Sequence, residues 1–185
     1  MAHKGSSRYR FRFPDGESLQ AKLSELGVSL PWSDDISPLL SSLEVGGRVL
    51  ANRLAVHPME GFDSEPDGAP SELAFRRYDR YGAGGAGLIW FEATAVVAEG
   101  RSNPRQLYLH DGSVATFGRL VESTRNAARA VLGPEHSPLL VLQLTHSGRW
   151  SRPGAARQPV IAHHNPTLDD IVGIDSEYLL VGMTP

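Results

Sequence analysis

Three short apolar segments of this chain each end in residues that could address a ligand. The first ends at residues 58–61 (Pro-Met-Glu-Gly), the second ends at residues 92–94 (Glu-Ala-Thr), and the third contains Gln143 and runs on to His146 and Arg149. Parallel strands separated by helices bring their carboxyl ends to one edge of a sheet, where α/β barrels build their sites. The sequence therefore predicts that these three ends lie side by side next to one ligand.

The first strand end pairs a residue that stops a strand with one that lets the chain turn. Pro58 removes a donor from the strand ladder, and Gly61 permits a sharp change of direction. We expect the backbone groups just beyond this strand to be free to face a planar ligand. An ordinary junction between a strand and a loop is the alternative.

The second strand end combines a carboxylate with a small side chain. Ala93 leaves room for a ring system to approach the backbone. Glu92 is interpreted as a buried structural acid that is satisfied by Arg101 or by main-chain amides, because a buried charge needs a partner.

The third strand carries an amide between leucines. Gln143 costs free energy in an apolar strand unless it is hydrogen-bonded, and its donor and acceptor suit the edge of a heteroaromatic ring. For His146, a structural hydrogen bond and a catalytic role both stay open. Arg149 either binds an anion or pairs with an acid.

Several other kinds of site are disfavoured by the motifs. Residues 82–87 match the glycine fingerprint of dinucleotide-binding proteins, but a helix precedes them and a strand follows, which is the reverse of the required order. His163 and His164 are adjacent, so their side chains diverge and no metal site is predicted. Neither a nucleophile elbow nor a zinc-binding H-E-x-x-H motif occurs, and cysteine is absent.

Composition gives no reason to expect a nucleic acid or a membrane as a partner. The formal charge is −3, the isoelectric point is about 6.1, and 41% of the residues are apolar. No run of lysine and arginine forms a basic patch, and no segment has the length of a signal peptide or a membrane span. We expect a cytoplasmic protein with a small-molecule substrate, and we leave self-association into a homo-oligomer open.

The elements that would position these residues alternate between helix and strand. The predicted helices span residues 17–28, 71–81 and about 111–131, with one helical turn near Leu39 and a tight turn at Gly46-Gly47. The predicted strands span residues 49–56, 88–91 and 139–144. After Arg149 the chain is predicted to be loop-like as far as Pro185.

This order predicts part of a larger α/β fold. A closed eight-stranded barrel needs roughly 250 residues, and three buried strands cannot close one. We expect an N-terminal extension with a short helix at residues 1–47. A partial barrel with two main helices would follow at residues 48–185, with a long loop at residues 145–185. A small α/β interaction module whose sheet is covered by a partner is the alternative.

In their amino-acid sequences and in their order along the chain, these segments resemble the old yellow enzyme family of NADH:flavin oxidoreductases. The resemblance covers about residues 43–148 and is carried by N-R-L-A-V-H-P-M-E-G, by R-R-Y-x-R-Y-G-A-G-G-A-G-L-I-W-F-E-A-T-A-V, by E-G-R-S-N-P-R-Q-L and by L-Q-L-T-H-S-G-R. It implies a (β/α)8 TIM barrel that binds FMN without a covalent bond. It also implies flavin contacts from Pro58, Met59 and Glu60 on the first strand end, from Ala93 on the second and from Gln143 on the third.

The chemistry implied by the resemblance is an ene-reductase reaction. NAD(P)H would reduce FMN, and the flavin would pass a hydride to an activated alkene such as an enone. The family's substrate-binding and proton-donating residues are expected beyond Pro185, so this chain is expected to be inactive alone. A non-catalytic ligand-binding or structural barrel of the same fold stays open as an alternative.

Two residues depart from the family pattern. Many relatives carry Thr or Cys at the position of Glu60, and an ionised glutamate cannot donate a hydrogen bond to the flavin. We therefore predict that Glu60 is protonated or turned away from the ring. Phe62 lies where some relatives have a substrate-facing tyrosine, and it joins His146 and Arg149 as a candidate on the substrate side.

Overall fold

The chain divides after Ile36 into two units. The computed structural model describes residues 13–175 and residue 178, and the units are Met1–Ile36 and Ser37–Pro185. The first unit contains helix α1 (Gly16–Glu25), which begins where the Asp15 carboxylate accepts a hydrogen bond from the Ser18 amide. The helix predicted at residues 17–28 is therefore confirmed, although it ends three residues earlier than expected.

The second unit opens with a hairpin at the predicted tight turn. After a short helix α2 (Ser37–Leu40), strands β1 (Leu43–Val45) and β2 (Arg48–Leu50) pair in antiparallel fashion. Gly46 and Gly47 both have positive φ, as a two-residue hairpin turn requires. The domain boundary that we predicted between residues 47 and 48 falls inside this hairpin, whereas the structure divides the chain eleven residues earlier.

The strand predicted at residues 49–56 is wrong, because the chain bends between two shorter strands. Only β3 (Ala55–Val56) joins the parallel sheet, and residues 51–53 form a bend. Asn52 holds this bend: its Oδ1 accepts hydrogen bonds from the amides of Leu54 and Gly87, and its Nδ2 donates to the Gly85 carbonyl. The amide side chain thus satisfies backbone groups that a continuous strand would pair within a ladder.

The main body is a parallel sheet with helices between its strands. Its order is β3, then β4 (Leu88–Ala95), then β5 (Leu139–Thr145), with helix α3 (Glu72–Ala83) between the first two strands and helix α4 (Val114–Leu132) between the last two. The predicted β-α-β-α-β pattern is confirmed. Within the part of the chain that the structure describes, this sheet has three strands and does not close into a barrel.

The core lies between this sheet and the two helices. Tyr78 of α3 stacks on Phe91 of β4 with ring centroids 4.3 Å apart, and Ile89 and Leu120 are fully buried beside them. Helices α3 and α4 approach closely at Gly82, where an added Cβ would lie 2.3 Å from the Thr124 carbonyl oxygen. Burial of these aromatic and aliphatic groups is the main source of stability for this body.

Strand β4 carries an irregularity close to its carboxyl end. Phe91 pairs with Leu142 and Thr94 pairs with Leu144, so β4 advances three residues where β5 advances two. This is the geometry of a β-bulge, which redirects side chains and interrupts the ladder. Phe91 and Glu92 both contact Tyr78 as a result, and residues 92 and 93 together lie opposite Gln143.

The segment after β5 is not a loop throughout, which corrects the prediction for residues 145–185. Helix α5 (Pro166–Val172) begins with Asn165, whose side chain accepts a hydrogen bond from the Leu168 amide, and ends at Gly173 with positive φ. An N-cap asparagine, a proline at the first position and a closing glycine are the usual signals of a short helix. The predicted loop at residues 176–177 and 179–185 lies outside the described residues. No helix among those described is long and apolar enough to cross a membrane.

Candidate functional site

The side chain of Gln106 joins the three strand ends that the sequence singled out. Its Nε2 lies 3.2 Å from Oε1 of Glu60, 3.1 Å from the carbonyl oxygen of Ala93 and 3.4 Å from Oγ1 of Thr145. These acceptors follow β3, lie in β4 and end β5, respectively. The carboxyl ends of the three parallel strands therefore meet at one edge of the sheet, within reach of one side chain.

Glu60 faces the loop that carries Gln106. Its Oε2 accepts hydrogen bonds from Oγ of Ser102 at 3.0 Å and from Nδ2 of Asn103 at 3.3 Å. Partial burial raises the pKa of the Glu60 carboxyl, and the nearby charge of Glu92 raises it further, whereas the hydrogen bonds from Ser102 and Asn103 act in the opposite direction. The carboxyl group is thus held by one loop, in an environment that disfavours its charge.

The backbone beyond the first strand is less free than the sequence suggested. The amide of Met59 donates to the His57 carbonyl at 2.9 Å, and the amide of Gly61 donates to Oε2 of Glu92 at 2.8 Å. The expectation of free backbone groups is therefore wrong for these two amides. The Met59 side chain is 70% exposed, and Pro58 is half-buried, so the side chains of this strand end, more than its amides, are available to a ligand.

Glu92 is a buried structural acid, and of its two predicted kinds of partner a main-chain amide, that of Gly61, is present, whereas Arg101 is not. Its side chain is 1% exposed and forms an ion pair with Arg77 of α3, which also binds Asp63. Arg101 instead donates to the carbonyls of Pro66, Pro104 and Gln106. The prediction of Arg101 as the partner failed because the pair is formed by a helix residue that the sequence gave no reason to place beside β4.

Phe62 lies between two residues that are held by hydrogen bonds, and its backbone has an unusual conformation. Its φ is +54°, and its ring is 60% exposed. A positive φ is unfavourable for a bulky residue, so neighbouring contacts must hold it. Gly61 is bound by Glu92 and Asp63 by Arg77, so the backbone is fixed on both sides of Phe62.

His146 uses one ring nitrogen for a local hydrogen bond, and its other ring nitrogen has no partner among the described residues. Its Nδ1 accepts from the Gly148 amide at 2.9 Å, so the proton of the neutral ring lies on Nε2. The ring packs against Gly100, where an added Cβ would lie 2.9 Å from Cδ2. The side chain is exposed, so Nε2 can donate to a ligand, and the structural and catalytic alternatives stay open.

Arg149 pairs with an acid, so it is not free to bind an anion. Its guanidinium forms an ion pair with the buried Asp169 of α5 and donates to the His163 carbonyl. The other carboxylate oxygen of Asp169 lies 3.0 Å from Nδ1 of His164. Among the described residues, no group of three or more His, Asp or Glu side chains is arranged to hold a metal ion.

Gln143 lies opposite the bulge of β4 and is half-buried. None of the hydrogen bonds formed between described residues involves its side-chain amide. Buried or half-buried amides are normally paired, and both the donor and the acceptor of this one are available to a ligand.

Sequence interpretation missed four residues that build this edge of the sheet, namely Arg77, Ser102, Asn103 and Gln106. The last three lie in a segment that contains Asn103-Pro104, an ordinary turn signal. A fully buried glutamine cannot be distinguished from an exposed one by such a pattern, because the burial of Gln106 depends on residues distant in sequence.

The chain is similar to NADPH dehydrogenases, to morphinone reductase and to old yellow enzymes over part of its length. No family model matches it. It is 33% identical over 116 residues to the NADPH dehydrogenase of Listeria monocytogenes, covering 62% of this chain and 32% of that protein. It is also 33% identical over 113 residues to the NADPH dehydrogenase of Halalkalibacterium halodurans, covering 60% of this chain and 31% of that protein. The chain thus spans about a third of the length of the curated relatives it matches.

Solved structures agree with these relatives. Morphinone reductase superposes with a TM-score of 0.55 at 26% identity, over 67% of this chain and 31% of that one. The old yellow enzyme from Pichia sp. superposes with a TM-score of 0.58, over 74% of this chain and 35% of that one. Because the sequence identity is only 19%, this match supports the fold alone. The resemblance stated from the motifs and the assignment to a partial α/β barrel are both confirmed.

Proposed function

We propose that this chain carries the N-terminal barrel segment of an old yellow enzyme and that the protein is an FMN-dependent oxidoreductase driven by NAD(P)H. The proposed acceptor is an activated alkene such as an enone. When bound, FMN would accept a hydride from the nicotinamide and deliver it to that alkene. NADPH dehydrogenases and morphinone reductase are the similar proteins whose names support this class.

The observation that carries the proposal is the convergence of three strand ends on Gln106. It brings Glu60, Ala93 and the end of β5 to one edge of the sheet. This edge also offers the Gln143 amide, which has no hydrogen-bond partner among the described residues, the small side chain of Ala93 and the exposed Met59 side chain. A polar amide beside a small residue and an apolar one suits a planar heteroaromatic ring, so these residues fit FMN.

Each residue has a distinct proposed role in holding the cofactor. Pro58, Met59 and Glu60 line one side of the ring. Ala93 leaves space for the ring to approach β4, and the Gln143 amide hydrogen-bonds its polar edge. Phe62 and His146 face the substrate, whereas the ion pair of Arg149 with Asp169 gives that residue a role in fixing the loop after β5.

The proposal is tested on the purified full-length protein. The protein should have the absorbance bands of bound flavin, lose them when NAD(P)H is added without oxygen, and regain them when cyclohexenone is added. A colourless protein that takes up no added FMN would contradict the proposal and favour a non-catalytic barrel. Flavin that is reduced by NAD(P)H but not reoxidised by any enone would contradict only the acceptor.

Localisation and assembly belong to the same proposal. We propose a cytoplasmic enzyme that acts on a small molecule, without nucleic acid or membrane as a partner, and we leave its oligomeric state open. The net charge of −3 supports the absence of a nucleic-acid partner, because such partners require a basic surface.

A further inference from the structure

Gln106 is buried more completely than its polar side chain would lead one to expect. It is 1% exposed, and both ends of its amide are hydrogen-bonded. Oε1 accepts from the Ser102 amide at 2.6 Å, while Nε2 faces the three acceptors at the strand ends. A buried amide that is fully paired fixes the positions of all its partners.

The distances rank those partners. An amide nitrogen has two hydrogens to donate, and three acceptors lie around Nε2. The Ala93 carbonyl at 3.1 Å and the Glu60 carboxyl at 3.2 Å are closer than the Thr145 hydroxyl at 3.4 Å. The two hydrogens are therefore assigned to Ala93 and Glu60, both of which belong to the proposed flavin-binding set.

The bulge in β4 explains why the Ala93 carbonyl is available to Gln106. The regular ladder between β4 and β5 is interrupted between Phe91 and Thr94. A backbone carbonyl released from a ladder needs another donor when it is buried. Gln106 supplies that donor and so holds the bulge at the strand end.

Gln106 is itself held rigidly by its main chain. Its amide donates to the Asn103 carbonyl, and its carbonyl accepts from Arg101 at 2.9 Å and from the Ser64 hydroxyl at 3.1 Å. The next residue, Leu107, accepts a hydrogen bond from the Ala95 amide at 2.8 Å. The side-chain amide is thus presented to the strand ends from a fixed backbone.

We propose that Gln106 is a positioning residue of the flavin site, which sets the Ala93 carbonyl and the Glu60 carboxyl in place before the cofactor binds. This inference rests on the proposed function. Gln106 acts through Ala93 and Glu60 and makes no contact with the cofactor itself. A site arranged in advance binds more tightly, because less ordering has to accompany binding.

The test compares three variants of the full-length protein. Gln106→Leu removes both ends of the amide, and Gln106→Glu keeps the shape but replaces the donor nitrogen with oxygen. Gly82→Ala is the matched control, because it disturbs the contact between α3 and α4 without touching this edge of the sheet. FMN dissociation constants and the visible circular dichroism of bound FMN are measured at a temperature where every protein is folded.

We expect both Gln106 variants to bind FMN about tenfold more weakly or worse, because each leaves a buried acceptor at the strand ends without its donor, and to change the dichroism of the bound flavin. The control should keep the wild-type dissociation constant and spectrum even though it unfolds at a lower temperature. If Gln106→Leu fails to fold, Gln106→Glu decides the question.

Wild-type FMN affinity and dichroism in a folded Gln106 variant would overturn the inference and leave Gln106 with a structural role alone. A wild-type protein that does not bind FMN would instead overturn the proposed function. The two failures are therefore distinguished by which protein shows them.

Discussion

Glu60 places a carboxyl group where its charge is disfavoured. Partial burial and the neighbouring Glu92 raise its pKa, and the hydrogen bonds from Ser102 and Asn103 oppose that shift only in part. An acid whose pKa is raised on folding binds its proton more tightly in the native state than in the unfolded chain. Its contribution to stability is therefore greatest when the carboxyl is protonated, and it falls as the pH rises.

The first prediction concerns this pH dependence. From the ordinary glutamate pKa of about 4.3 up to the raised native value, the wild-type protein should lose stability relative to Glu60→Gln, and above that window the difference should level off. Urea unfolding of both proteins at a series of pH values measures the difference between their free energies of unfolding. The contributions of titrating groups that the two proteins share cancel in that difference. A difference that is constant with pH would show that the pKa of Glu60 is not raised.

The second prediction concerns Glu92, which accepts hydrogen bonds from Arg77, from the Gly61 amide and from Tyr78. Glu92→Gln should lower the free energy of unfolding by about 2 kcal/mol, because it removes the charge from a buried acceptor of several hydrogen bonds, while Arg77 keeps its pair with Asp63. Glu122→Gln is the control: Glu122 is exposed and pairs with Arg125, so its loss should change stability by less than about 0.5 kcal/mol. Equal effects in urea unfolding would contradict the structural role of Glu92.

From the sequence, individual residues of this site could be identified, but the residues that they contact could not. The burial of Glu92 followed from its place after an apolar run, and the isolated amide of Gln143 was evident from its leucine neighbours. The ion pair with Arg77 and the contacts of Gln106 join residues from different elements. Such pairings depend on how helices pack on the sheet, which periodicity does not specify.

Among the elements, the packing of α3 on α4 depends on the absence of a side chain. A Cβ on Gly82 would lie 2.3 Å from the Thr124 carbonyl oxygen and 3.3 Å from the Ala128 amide nitrogen. Both atoms belong to the backbone of α4, so they cannot move aside as a flexible side chain could. The helices would have to separate to admit a methyl group.

The third prediction compares two helical glycines. Gly82→Ala should destabilise the protein by about 1–3 kcal/mol despite the better helix propensity of alanine, because it overpacks the helix contact. Gly118→Ala should stabilise it by up to about 1 kcal/mol, since nothing lies within 4 Å of the added Cβ. Thermal and urea unfolding measure both, and a Gly82→Ala protein as stable as Gly118→Ala would contradict the close approach.

Strongly periodic elements were predicted well, and short ones poorly. Helices α3 and α4 followed from their apolar stripes and their end signals, and β4 and β5 followed from unbroken apolar runs. The first strand was misassigned because the hydrogen bonds of Asn52 break it into two pieces. Helix α5 was missed because seven residues are too few to show a helical period.

For the molecule as a whole, the sheet edge and one helix surface are left uncovered within the described residues. A groove of about 370 Å³ between α4 and β5 is lined by apolar side chains that include Phe117, Val121 and Leu142. Leu144 and Trp90 of the sheet are exposed to 58% and 40%. Exposed strand edges and apolar surfaces of this kind promote association.

The fourth prediction follows for the 185-residue chain produced alone. It should bind a hydrophobic dye such as ANS and should self-associate in a concentration-dependent manner, whereas the full-length protein should do neither to the same extent. Dye fluorescence and analytical ultracentrifugation compare the two. A monomeric chain that unfolds cooperatively and binds no dye would favour the alternative of an independent interaction module.

Strand β4 also constrains which changes in length the protein can accept. Its one additional residue relative to β5, between Phe91 and Thr94, lets Glu92 reach α3 and leaves the Ala93 carbonyl to Gln106. Deleting a single residue there would restore a regular ladder with one residue opposite Gln143, so the strand would lose either the carboxylate that reaches α3 or the carbonyl that Gln106 holds. Substitution of Ala93 by another small residue should therefore be tolerated far more often than its deletion, so an engineer who redesigns this rim should keep the strand length.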